Sequence, residues 1–472
     1  MIKQALTFDD VLLTPQYSTL TSRRLVDTSS NLVAGLRLAT PVVASNMDTV
    51  CESEMAIKMA ELGGIGIIHR YLSIEDQAEE VNRVKSHHDF VIWEPYTVVH
   101  TAPLSTAVDL MVDLNVSSVM VEDEISGLFV GVLTLKDVTY FAGDVDTASV
   151  SDALLYDTED FVTGSVGILA DEALELMQEH RVGKLPLLDK HGQVAGLVTR
   201  KSVTKEDVYP NATRDAQGRL AVGAAVGVNG DYLQRVEALI EAGVDVVVLD
   251  IAHGHSVMSI EAVKAIKANY SVPVIAGNVA TAQGAKDLAE AGADGIKVGV
   301  GPGSICTTRI VTGHGVPQLT AILEACSAVD VPVIADGGIR KSGDMVKALA
   351  AGASTVMLGS LLAGTDESPG GVITRDGSRY KMIRGMASYG AALGRSKRAG
   401  DEVSEATPEG VEALIPYRGS AGEIVGNLMG GVRSGFSYSG ATCLAELWQK
   451  AEFVQISPAG LIESRHHDVK AL

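Results

Sequence analysis

The 472-residue sequence has few cysteines, and they lie far apart: Cys51, Cys306, Cys326 and Cys443, with no Cys-x-x-Cys pair. Zinc-finger spacing is therefore missing, and a disulfide framework has no place in a chain of this size. Basic side chains are also scarce, 38 against 59 acidic ones, for a formal charge of −21. Without a basic footprint, binding to nucleic acid or to an anionic membrane surface is not expected. Phosphate ligands stay open to it, because a few backbone N–H groups can hold an anion locally. No apolar run is long enough for a membrane helix, and Met1-Ile-Lys-Gln-Ala-Leu-Thr7 lacks the layout of a secretory signal. Val469-Lys-Ala-Leu472 is not a Ser-Lys-Leu address. The expectation is a soluble protein of a reducing, cytoplasmic setting.

What the sequence does have is 46% hydrophobic residues, arranged in short β-branched runs that end on Gly, Asp or another polar residue. They are Pro41–Ser45, Gly64–His69, Ala221–Gly227, Val244–Asp250, Val272–Asn278, Gly295–Gly299, Val331–Asp336 and Thr355–Ser360. Continuous apolar strands of this kind are buried on both faces, as in a parallel sheet. Helical patterns separate them, among them Tyr232–Ala242, Ala282–Ala291 and Ser342–Ala351. Eight strands alternating with helices predict an α/β fold, a (β/α)8 (TIM) barrel. An open doubly wound sheet is disfavoured by the count, and by the lack of a Gly-x-Gly-x-x-Gly after the first strand.

The spacing breaks between the second and third strands, where about 150 residues intervene and repeat themselves. Val116–Val121 and Phe129–Asp137 recur as Val182–Leu187 and Val194–Ser202, each copy with an upstream helix, Leu104–Leu114 and Ala170–His180. The repeat resembles a tandem pair of CBS modules (a Bateman domain), which implies a regulatory purine nucleotide at Thr134, Asp137 and Thr199. The counterpart of Asp137 is Ser202, so at most one of the two usual sites is intact. The expected division is 1–90 barrel, 91–206 tandem CBS domain, and 207–472 barrel.

Gly299-Val-Gly-Pro-Gly-Ser-Ile-Cys306-Thr-Thr-Arg309 is the strongest chemical signal. Three glycines and a proline make a stiff loop whose backbone can approach a ligand. It follows the sixth strand, at the mouth where barrel enzymes do chemistry. Cys306 lies among Ser304, Thr307, Thr308 and Arg309, a polar setting unlike that of a packing cysteine, and Arg309 favours its thiolate. Ala335–Arg340 and Leu358–Leu362 follow the last two strands, where phosphate sites recur in this fold; taken alone, the Gly337-Gly338 pair reads as an ordinary tight turn. Asp336 suits ribose hydroxyls. Asp250 is followed by His253 and His255, a weak metal pattern without a third ligand, and better read as a polar cofactor contact. Gly385–Gly390 and the charged, non-periodic stretch up to Thr407 read as a loop, with a surface linker as the bland alternative to a mobile flap over about 387–410.

Phe8–Pro15, Asn46–Val50, Ala276–Val279, the Cys306 loop, Ile334–Arg340 and Gly430–Ser434 together resemble one family over nearly the whole chain, the IMP dehydrogenase/GMP reductase enzymes. The resemblance implies that Cys306 attacks C2 of a purine nucleotide, and that C2 then exchanges hydride with a nicotinamide. It implies phosphate contacts at Ser304, Gly338, Gly359 and Ser360, ribose on Asp336, and Ser45, Met47, Met386 and Ala387 along the nucleotide. Asp250 and Asn278 would face the cofactor. The carbonyls of Gly301, Gly303 and Cys306 would bind a monovalent cation such as K+, and Thr308 with Glu409 would move protons. Homotetramers are usual in the family, and CBS modules can pair them into octamers. Dehydrogenases hydrolyse the adduct with an Arg-Tyr pair on the flap; here neither Arg395 nor Arg398 is followed by Tyr. The expectation is therefore a GMP reductase using NADPH, with IMP dehydrogenase using NAD, or a catalytically silent nucleotide sensor, as the alternatives.

Overall fold

The computed structural model describes residues 2–87, 90–93, 95–114, 116–155, 158–204, 209–391 and 407–466. The chain separates into two compact units, Met1–His87 with Asn211–Leu472, and His88–Pro210. The limits expected for the insert, 91 and 206, lie a few residues inside the second unit, and residue 206 is outside the described residues.

In the first unit eight parallel strands close into a barrel. We number them β1 (Val42–Ala44), β2 (Ile65–Ile68), β3 (Gly223–Val226), β4 (Val246–Asp250), β5 (Val274–Val279), β6 (Gly295–Val298), β7 (Val333–Asp336) and β8 (Thr355–Leu358). Each overlaps one of the eight runs picked out by hydropathy. The insert leaves the barrel between β2 and β3, yet these two still pair, with Gly223 opposite Ile67.

Side chains alternate across a strand, and both parities here are apolar for different reasons. Val43, Ile65, Ile67, Val246, Val248, Ile275, Ile334 and Met357 point inward and form one buried cluster. Val42, Ala44, Val247, Leu249, Val274, Ala276, Ile296, Val298, Val333 and Ala335 belong to the larger cluster beneath the helices. A hairpin of Ser30–Val33 and Leu36–Leu38 adds four side chains to the interior cluster, and Leu32 and Val33 approach Gly295 at the start of β6. It plugs the N-terminal end of the barrel, so polar chemistry is left to the C-terminal end.

The second unit holds two small sheets. One contains Thr97–Val99, Ser118–Glu122 and Phe129–Thr134; the other contains Val91–Trp93, Gly164–Ser165, Lys184–Leu188 and Val194–Thr199. The repeat seen in the sequence is a repeat of hairpins, and the equivalent residues cap equivalent helices. Thr134 donates its N–H and its hydroxyl to Asp137 Oδ2 (2.7 and 2.6 Å). In the other copy, Thr199 N donates to Ser202 Oγ at 3.0 Å, and Ser202 N returns a bond to Thr199 Oγ1 at 3.0 Å. Among the described residues no helix is long and apolar enough to cross a membrane.

Gly66 permits a close strand–helix contact: an added Cβ would lie 2.5 Å from Ala56 Cα and 2.8 Å from Cys51 Sγ. Gly66→Ala is expected to lower stability by about 1–3 kcal/mol, because helix Ser53–Glu61 must move off β2. Chemical denaturation of the variant beside the parent protein measures this; an unchanged midpoint would show that the contact is not restrictive.

Candidate active site

At the C-terminal ends of β4 to β7 the inward-facing positions stop being apolar: Asp250, Gly277, Lys297 and Asp336. Asp250 is in register with Gly277, and Gly277 with Lys297. Gly277 leaves an open lane between its neighbours, since a Cβ there would stand 2.7 Å from Lys297 Cβ. Lys297 uses that lane. Its Nζ donates to Asp250 Oδ1 and Asp336 Oδ2, both at 2.8 Å, and to Asn278 Oδ1. Asn278 Nδ2 in turn donates to Asp336 Oδ2 and Gly299 O, both at 2.8 Å.

Lys297 is only 2% exposed. Burial opposes its charge, but Asp250 and Asp336 outweigh it and hold the ammonium pKa above its ordinary value. For Asp250 burial pushes the other way; the Lys297 charge overcomes it, with help from Arg70 and Asn46, and keeps the carboxyl below the usual carboxylate range.

The Cys306 loop begins at Gly299, whose φ of +150° and Cβ position, 2.0 Å from Asp336 O, admit only glycine. Arg309 braces the loop by donating to Val300 O (3.2 Å) and Val316 O (2.6 Å). The Cys306 thiol donates to Thr308 Oγ1 at 3.2 Å, and the Thr308 hydroxyl donates to Glu409 Oε2 at 2.7 Å. Backbone pairing across about a hundred residues fixes that geometry. Thr307 N donates to Glu409 O at 2.9 Å, Val411 N to Ile305 O at 3.0 Å, and Cys306 pairs with Gly410. The next strand, Glu412–Pro416, lies antiparallel to Ser378–Arg384 and anchors the assembly. The other cysteines differ. Burial pushes the Cys51 thiol far up, and that of Cys326 up to about 12.

Above these groups opens a cavity of about 420 Å³. Of the expected residues it brings together Ser45, Met47, Asp250, Asn278, Gly301, Gly303, Cys306, Thr308, Asp336, Met386, Ala387 and Glu409. A second cavity of about 290 Å³ shares Ser45, Met47, Gly303 and Asp336 with the first, and adds Ser304, Gly338, Gly359 and Ser360. The sixteen barrel residues that the family resemblance assigns to substrate, cofactor, cation or proton transfer all lie on one of the two, whereas His253 and His255 line neither. Thr134, Asp137 and Thr199 belong to the other unit.

Lys297 was not singled out, although one lysine inside Gly295-Ile-Lys-Val-Gly299 is the signal that marks it. Gln318 was also passed over; it is 1% exposed and donates to Val298 O (2.9 Å) and Asp336 O (3.0 Å) beneath the second cavity. His255 pairs with Asp287 at 2.7 Å, and no group of His, Cys, Asp and Glu suited to a metal occurs among the described residues. Of the expected flap, residues 392–406, with Arg395 and Arg398, lie outside the described residues. Its two ends are tied together, Glu409 N donating to Ala387 O at 3.0 Å.

Known proteins share this architecture. The family model described as IMP dehydrogenase / GMP reductase domain matches residues 5–467. The chain is 52% identical to an inosine-5′-monophosphate dehydrogenase of Aquifex aeolicus, over 99% of this chain and 96% of that one. It is 46% identical to a GMP reductase of Leishmania major, over 100% and 98%. A solved structure of a Cys-to-Ala variant of GMP reductase from Trypanosoma brucei, in complex with guanosine 5′-monophosphate, superposes with a TM-score of 0.79 at 43% identity, covering 99% of each chain.

Lys297→Met leaves the half-buried Asp250 and Asp336 without their cation, and is expected to destabilise the barrel by about 3 kcal/mol. The raised lysine pKa keeps the pair intact up to high pH. The depressed Asp250 pKa means that its contribution is complete above the unfolded carboxylate value of about 3.9 and is lost as pH falls below it. The gap between parent and variant, measured by denaturant unfolding, should be flat from about pH 6 to 9 and shrink below about pH 4. A gap that instead narrowed above neutrality would contradict the ion-pair assignment.

Proposed function

The chain belongs to the IMP dehydrogenase/GMP reductase family of purine nucleotide oxidoreductases, and we propose that within it the protein is a GMP reductase, converting GMP and NADPH to IMP, ammonia and NADP. The observation that carries this reading is the directed proton chain from Cys306 through Thr308 to Glu409, set beside a flap sequence, about 387–410, in which neither Arg395 nor Arg398 is followed by tyrosine. A reductase must protonate a departing amine. A dehydrogenase must instead activate water, and no Arg-Tyr pair is present to do it.

In this reading the thiol proton passes through Thr308 Oγ1 to Glu409 as the Cys306 sulfur bonds to C2 of the guanine. The same proton returns to the 2-amino group, which leaves as ammonia while the C2–S bond remains. The reduced nicotinamide supplies hydride to C2; the C2–S bond then breaks, and the sulfur takes a proton from solvent. One GMP, one NADPH and one proton thus give one IMP, one ammonia and one NADP. Ser304, Gly338, Gly359 and Ser360 hold the phosphate, and Asp336, fixed by Lys297, holds the ribose. Ser45, Met47, Met386 and Ala387 flank the nucleotide. Asp250 and Asn278 face the nicotinamide.

Backbone carbonyls suit a hard cation, and those of Gly301, Gly303 and Cys306 would hold K+ and stiffen the loop. Gly303 O accepts from Cys306 N at 3.1 Å within the same loop. In the CBS pair Lys184 Nζ of one copy reaches Ser117 Oγ of the other at 3.3 Å. Burial lowers the Lys184 pKa, and Asp137 opposes the shift; this corner, with Thr134, is where a purine nucleotide would bind. Thr199 marks the second copy's equivalent position. A homotetramer, paired into an octamer through the CBS unit, is the assembly that accompanies this reading.

Nicotinamide absorbance decides the reaction. Purified protein with GMP and NADPH should consume NADPH. Cys306→Ala should abolish the reaction, a fall of roughly four orders of magnitude or more. Glu409→Gln should lower kcat by about 100-fold or more with a smaller change in KM. Robust NADH formation from IMP and NAD would contradict the reductase assignment.

A further inference from the structure

The N-terminal turn Phe8–Asp10 packs against the second cavity, the one that holds Ser304, Gly338, Gly359 and Ser360. A Cβ on Gly338 would lie 3.6 Å from Phe8 Cε2. Phe8 O accepts from the buried Lys347 Nζ at 2.9 Å, and Thr7 N donates to Asp10 Oδ2 at 2.8 Å. The turn is thus tied to the helix Ser342–Ala350 that follows the glycine loop, with Asp9 and Arg340 side by side in the cavity wall. Arg340 Nη2 contacts Asp9 Oδ1 at 2.7 Å, and its Nε lies 3.7 Å from Asp344 Oδ2.

Resting on the reading of this cavity as a nucleotide phosphate site, we propose that the Asp9–Arg340 pair sets the length of the phosphate chain, admitting a nucleoside 5′-monophosphate and rejecting the 5′-diphosphate. An unpaired arginine at this edge would welcome additional phosphate oxygens. Here two carboxylates flank the guanidinium, and Asp344 is fully buried and accepts from Arg340 N at 3.0 Å. The hydrogen bond from Arg340 holds the Asp9 carboxyl below the usual range, so it is ionised at neutral pH. A β-phosphate would have to approach a fixed carboxylate or strip Arg340 from it. A repulsive element of this kind separates ligands that share every attractive contact.

Calorimetric titration with GMP, GDP, IMP and IDP tests the proposal without depending on the direction of the reaction. The parent protein should bind each monophosphate about 100-fold or more tightly than its diphosphate. Asp9→Asn, which keeps a hydrogen-bond acceptor for Arg340, should narrow that ratio about tenfold by tightening diphosphate binding, with monophosphate binding within about threefold of the parent. Asp9→Glu, which keeps the charge, should retain the parent's discrimination. An unchanged ratio in Asp9→Asn, or equal loosening in Asp9→Glu, would overturn the charge gate. If the parent bound neither GMP nor IMP, the nucleotide reading itself would fall and take the gate with it.

Discussion

The site depends on one ammonium group. Lys297 ties the C-terminal ends of β4, β5 and β7 together through Asp250, Asn278 and Asp336. Two carboxylates at the closed mouth of a barrel would repel each other and shift toward neutrality. With the lysine between them both are fixed in position, and the Asp250 carboxyl is held below the usual carboxylate range. The arrangement works because Gly277, between Asp250 and Lys297 in the register, has no side chain. The Cys306 loop is tied to the same network, since Asn278 also holds Gly299 O and Gln318 holds Asp336 O.

The second constraint is the backbone ladder that delivers Glu409 to Thr308. A carboxylate on a solvent-side loop would sample many positions; pairing of Ile305–Thr307 with Glu409–Val411 removes that freedom. A thiol, a hydroxyl and a carboxylate are thereby aligned as successive donors and acceptors before any ligand arrives. Preorganisation of this sort is what makes proton transfer effective. The relatives carry both names, dehydrogenase and reductase, at similar identity. In the proposed reading, choosing between them falls to how the adduct would be resolved, which Cys306 alone does not determine.

Much of the fold was legible because a closed parallel barrel buries both faces of every strand, and that leaves eight apolar runs in plain view. The Cys306 loop was legible for a local reason, a polar cysteine among glycines. Lys297 escaped because one charge inside Gly-Ile-Lys-Val-Gly does not alter the look of a buried strand. Its partners come from other strands, 47 and 39 residues away in sequence. Asp9 and Arg340, 331 residues apart, are a contact that no periodicity announces. Arg309, expected to favour the thiolate, donates to the loop backbone at Val300 O and Val316 O.

The central claim is that hydride arrives at C2 of a purine held on Cys306. Turnover of GMP with NADPH carrying deuterium at both C4 positions, followed by mass spectrometry and proton NMR of the purine product, examines that bond directly. The account predicts IMP with one deuterium, located at C2. IMP without deuterium at C2, or no conversion of GMP at all, would contradict it.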